Sequence, residues 1–100
     1  MASYQIMYWH DIPVQVRVKD GRVRVSVPLH VRFQEAIDQA AMVAGLIGSD
    51  EYSELFRWGD AIERAGTPDD VAKTVAWELE NQFPEIDWRA TVNSLAAGRG

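Results

Sequence analysis

The chain contains no cysteine, so disulfide cross-links and thiolate chemistry are both excluded. Histidine is nearly as scarce, with His10 and His30 the whole supply. A Ser-His-Asp arrangement needs a histidine base beside a nucleophile, and the sequence spells out no such pairing. His10 and Asp11 are neighbours, and on a strand neighbours point to opposite faces. A metal site built from His10, His30 and a carboxylate lacks the short ligand spacing of typical sites. Gly45 and Gly48 lack the strand and lysine that make a phosphate-binding loop. No apolar run approaches the ~20 residues that cross a bilayer, and MASYQIMYWHD has no basic segment followed by a long apolar core. The expectation is a cytoplasmic protein with no membrane partner, no cofactor, no metal and no catalytic residue.

Positive charge is also in short supply. Ten Lys and Arg stand against fifteen Asp and Glu, a net of −5. The imbalance is local: residues 34–100 hold thirteen acids and five bases, whereas residues 1–33 hold two acids and five bases. An acidic body argues against non-specific nucleic-acid binding, which needs a broad basic footprint. The basic patch near the N-terminus survives that argument.

That patch lies on the stretch around which the chain is organised, Val14 to Val27, VQVRVKDGRVRVSV. Two runs of valine alternation flank Asp20-Gly21, a strong hairpin signal. A two-residue Asp20-Gly21 loop pairs Lys19 with Arg22, Val18 with Val23, Val16 with Val25 and Val14 with Val27. All six valines then share one face, expected to be core. On the other face Arg17 opposes Arg24, a like-charge pairing that costs a few tenths of a kcal/mol. Such a face is either simply solvated or a docking surface for something acidic.

Tyr4 to Trp9 reads as a preceding strand, with Pro13 marking a corner or bulge between it and the hairpin. Phe33, Ile37, Ala40, Ala41 and Ala44 make one apolar stripe and predict a helix over 31–44, closed by Gly45-Leu46 and covering the valine face. Ser49 predicts the start of a short helix over 50–57. Residues 58–66 read as a loop, a turn or a short strand through 61–64, with Trp58 anchored in the core. Thr67-Pro68-Asp69-Asp70 starts a helix that Pro84 stops after about Gln82, with Trp77 on its far side either packed under the tail or exposed. The tail predicts a short helix behind an Asp87 cap, with Trp88, Val92 and Leu95 spaced to pack. Four tryptophans are many for this length, most of them expected in the core.

Tyr8-Trp9-His10-Asp11-Ile12-Pro13-Val14-Gln15-Val16 and Arg32-Phe33-Gln34-Glu35-Ala36-Ile37-Asp38-Gln39-Ala40-Ala41-Met42 together resemble the small bacterial virulence factor domain family. The resemblance covers roughly residues 5–80. His10 and Val14 stand where that family is expected to carry arginine and alanine. Its members are expected as stand-alone domains and as the terminal domain of the larger conserved virulence factor C. The resemblance implies an interaction or accessory role and, through relatives expected near folate or corrinoid methyl-transfer enzymes, a link to one-carbon metabolism. By matching position it implies a shared surface at Trp9, Asp11, Arg32, Gln34 and Glu35. Each has a local alternative: Trp9 in the core, Asp11 capping the Ile12-Pro13 turn, and Arg32 ion-paired with Glu35 on the helix surface.

The combined expectation is an α+β fold: a three-stranded antiparallel meander with two main helices and a short helix on one face. Residues 1–97 form a single globular domain and 98–100 a frayed tail. The expected role is a non-catalytic domain docking a protein partner, with Arg17, Arg22 and Arg24 added to the five positions above. A subunit or small-ligand carrier for a folate or corrinoid enzyme, using a pocket at Trp9, Asp11 and Arg32, is the alternative. A nucleic-acid-binding sheet is the remote one. Homodimer and monomer stand level on symmetry grounds.

Overall fold

A computed structural model describes residues 1–98 of the chain. Strands β1 (Ala2–Trp9), β2 (Ile12–Asp20) and β3 (Val23–Pro28) form the meander, and helix α1 (Val31–Val43) follows. Next come a short helix α2 (Asp50–Glu54) and two three-residue strands, β4 (Phe56–Trp58) and β5 (Ile62–Arg64). Helices α3 (Pro68–Gln82) and α4 (Trp88–Gly98) complete the described chain. The antiparallel sheet has five strands in the order β3-β2-β1-β4, with β5 also paired to β1. The sheet is therefore wider than the meander alone. The 50–57 helix stops at Glu54, because Phe56 and Arg57 join the sheet opposite Trp9 and Tyr8.

The hairpin register differs from the expected one. Asp20 pairs with Val23, Lys19 with Arg24, Val18 with Val25 and Val16 with Val27. The two-residue turn is thus Gly21-Arg22. Only Gly21 takes a positive φ, +60°, as the first central residue of a type II′ turn does. A turn on Asp20-Gly21 would instead have asked a positive φ of Asp20 as well. The two-step shift keeps the valines on one face but moves β3 along. Val16 and Val18 are buried, Val14, Val25 and Val27 only partly, and Val23 at the tip is 54% exposed. Arg17 consequently faces Ser26, and the opposed cations are Lys19 and Arg24.

A register shift between Met7 and Tyr8 gives β2 one residue more than β1 at this point. Strict alternation would put Trp9 on the Gln5–Met7 face. Across the shift Trp9 pairs with Ile12, and both are buried. Tyr4 and Ile6 lie opposite Val18 and Val16 on the helix side.

The longest helix does most of the covering. α3 lies along β2 and β3 through Val71, Ala72, Val75, Ala76 and Leu79, and α1 crosses β2 and carries α4. Thr67 caps α3 by accepting the Asp70 amide proton, with Pro68 in the first turn. α1 ends in a Schellman motif: Leu46 N–H donates to the Ala41 carbonyl, Gly45 N–H to the Met42 carbonyl, and Leu46 is buried. Asp87 caps α4 by accepting from the Ala90 amide. That helix continues to Gly98, the first residue of the expected 98–100 tail; Arg99 and Gly100 lie outside the described residues.

Candidate functional site

The helices all pack on one side of the sheet, so the other side of the meander is open. It carries Gln5 and Met7 from β1, Gln15, Arg17 and Lys19 from β2, Arg24 and Ser26 from β3, and Trp58 from β4. Arg17 is fixed there. Its guanidinium lies 3.9 Å over the Trp58 ring and donates to Gln5 Oε1 at 2.7 Å, while Gln5 Nε2 donates to the Gly59 carbonyl at 3.0 Å. This chain of contacts ties β2, β1 and the residue after β4 together across the open face. Trp58 is thus a platform for Arg17 and not an anchor in the core.

Beside it, Gln5, Arg17, Lys19 and Arg24 line a shallow depression of about 150 Å³. Arg22 stands in the adjoining turn, exposed. Among the described residues no ion pair holds any of these four cations, although Arg64 and Glu78 pair at 2.6 Å elsewhere on the surface. Lys19 and Arg24 face each other directly, which is destabilising without a counter-charge.

The five positions implied by the resemblance do not form one site. Trp9 is fully buried, and its indole N–H donates to the Tyr52 carbonyl at 2.9 Å. Asp11 leaves its own turn uncapped and accepts from the hydroxyl of buried Thr91 at 2.6 Å, clamping the β1–β2 turn to α4. His10, at a φ of +56°, sits 2.9 Å from Ser94 of the same helix. Arg32 makes no ion pair with Glu35. Its guanidinium reaches the end of α3 and donates to the Glu80 and Phe83 carbonyls at 2.8 and 3.2 Å, where helix carbonyls lack partners. Gln34 donates to Asp38 at 3.0 Å and to the Tyr52 hydroxyl at 3.4 Å, joining α1 to α2. Burial and the nearby Asp38 charge raise the Tyr52 phenol above its ordinary value, against a smaller opposing effect of the Gln34 hydrogen bond. Glu35 is exposed.

A second surface begins at Glu35. With Arg32, Gln39, Ile86 and Trp88 it lines a cleft of about 470 Å³ between α1 and the α3–α4 connection. Trp88 continues into a neighbouring cleft with Val43 and Val92. Asp11 lines a separate one, and Trp9 none of them. His30 is occupied as the cap of α1, its Nδ1 accepting from the Arg32 amide. Among the described residues no group of three His, Asp and Glu is placed to hold a metal, and no helix is long and apolar enough to cross a membrane.

The virulence factor family model matches residues 7–92 of this chain, most of its length. The chain belongs to the virulence factor family. No curated protein and no solved structure matches it. The match takes in the hairpin, α1 and Trp88, hence both surfaces of this virulence factor domain apart from Gln5. Sequence reasoning missed Gln5, Trp58 and Thr91. The first two become visible only once β1 is registered against β2 and β4, and a threonine in an otherwise apolar helix stripe is the sole signal for the third. Of the four tryptophans only Trp9 is core. Trp58 and Trp88 are half-buried, and Trp77 is 66% exposed on the outer side of α3.

Proposed function

We propose that this virulence factor domain is a non-catalytic interaction module that docks an acidic protein partner on the open face of its sheet. One observation carries the reading: four cations, Arg17, Lys19, Arg22 and Arg24, cluster on and beside an uncovered face with no ion pair to any of them among the described residues, in a chain of net charge −5. Solubility alone does not call for such segregation, since an acidic protein has ample carboxylates to intersperse. An anionic surface would relieve the Lys19–Arg24 opposition and find Arg17 already positioned, which limits the entropy lost on binding. The test is affinity capture from the native host's lysate with wild type, an Arg22→Glu, Arg24→Glu double variant, and an Arg57→Glu, Arg89→Glu control. Among the described residues the Arg22 and Arg24 side chains make no hydrogen bond, ion pair or ring contact, so the double variant should fold. The reading expects a protein held by wild type and control, lost with the double variant and released by salt. Equal retention by all three contradicts it.

A second reading rests on the cleft at Arg32 and Trp88: a subunit or small-ligand carrier for a folate or corrinoid one-carbon enzyme. Its wall of Ile86 and Trp88, with polar Arg32, Glu35 and Gln39, has the mixed character of a ligand site. Titrating a folate into the protein while following tryptophan fluorescence tests it, with a Trp88→Phe variant assigning the signal. Binding of single-stranded nucleic acid to the sheet ranks below both, because the body of the protein is acidic.

A further inference from the structure

The outermost strand of the sheet gives the docking reading a more specific form. β3 is a free edge of six residues, whereas the opposite edge is made of β4 and β5, three residues each and separated by 59–61. Among the described residues only β3 offers an uninterrupted ladder. Its register fixes which groups are free. Leu29 N–H donates to the Val14 carbonyl, and a two-residue turn makes Asp20 and Val23 a hydrogen-bonded pair. Odd-numbered residues of β3 therefore bond to β2, and Arg24 and Ser26 turn their N–H and C=O groups outward. Pro28, which has no N–H, ends the ladder.

Side chains on both faces of this edge are also incompletely covered. On the helix side Val23 is 54% exposed and Val25 and Val27 are only half-buried. On the open side stand Arg24 and, one strand in, Lys19 and Arg17, with no acid paired to them among the described residues. An added strand would lay apolar side chains beside the valines and alternate acidic ones beside the cations. A second copy of the chain fits poorly, since antiparallel pairing about Val25 would set Arg24 opposite Ser26 and Arg22 opposite Pro28 and bring no acid opposite either arginine.

We infer that β3 accepts an additional strand from an acidic partner, an extended segment alternating acidic and apolar residues. This inference rests on the docking reading and specifies how the partner engages. Main-chain bonds to Arg24 and Ser26 supply the attachment, and the alternation supplies the selectivity.

The experiment uses the full chain and a synthetic peptide of about ten residues alternating glutamate and valine. A second peptide is identical but N-methylated at the residues facing β3, and a third has lysine for glutamate. Strand addition requires that the first peptide protect the Arg24 and Ser26 amides from hydrogen exchange. The N-methylated peptide should bind about ten-fold or more weakly, and the lysine peptide still more weakly. Ser26→Pro, which removes an outward N–H and no ladder bond to β2, should weaken the first peptide similarly. If the first two peptides bind alike with the Arg24 and Ser26 amides unprotected, strand addition is wrong while docking on the charged face stands. If the lysine peptide binds as well as the glutamate one, or neither binds, both strand addition and the acidic-partner reading fall. Because the N-methylated peptide leaves the protein unchanged, the outcome does not depend on how Ser26→Pro folds.

Discussion

At the scale of single residues, the side chains that look functional by type are mostly consumed by the fold. Trp9 donates its indole proton inside the core, Asp11 and His10 hold α4, and Arg32 satisfies carbonyls at the end of α3. Arg32 illustrates why such roles escape sequence reasoning: its partners are backbone atoms about fifty positions away, which no local spacing encodes. Tyr52 is the residue with a testable pH signature. Burial first, and then the Asp38 charge, favour its neutral phenol, so its folded value lies above the unfolded one near 10. The stability it contributes is fully present below pH 10 and is lost as the pH rises through the raised folded value. Urea midpoints measured across that alkaline range should fall less steeply in Tyr52→Phe than in wild type. An identical slope in the two proteins would remove Tyr52 from the account.

At the scale of elements, what the sequence states locally is what it states well. Thr67-Pro68 and Pro84 bracket α3, Gly45-Leu46 closes α1, and valine alternation marks the hairpin strands. β4 and β5 were hard to read because three residues carry almost no periodicity and owe their conformation to β1. The hairpin register turned on which residue takes the positive φ, a choice that the glycine makes and the dipeptide signal leaves open. Gly21→Ala should therefore cost about 1 kcal/mol, seen as a lower urea midpoint with unchanged slope. Nothing stands within 4 Å of an added Cβ there, so the whole loss is conformational. A loss near zero would mean the turn relaxes to another type. Of the candidate site, the cations of the hairpin were legible, whereas Gln5 and Trp58, which position Arg17, required the sheet's cross-strand order.

At the scale of the whole molecule, the acidic residues are concentrated in residues 34–100 while the hairpin turns a basic face outward. Such a charge separation steers an acidic partner to one side and makes its capture sensitive to ionic strength. The cleft of α1 and Trp88 is the competing surface, on the opposite layer of the fold. One measurement separates them most directly: amide hydrogen exchange of the domain, free and saturated with the protein it captures. Protection confined to β2, β3 and their turn is the result expected if the open basic face docks the partner. Protection along α1 and residues 84–93, with the hairpin unchanged, would contradict it and move the function to the cleft.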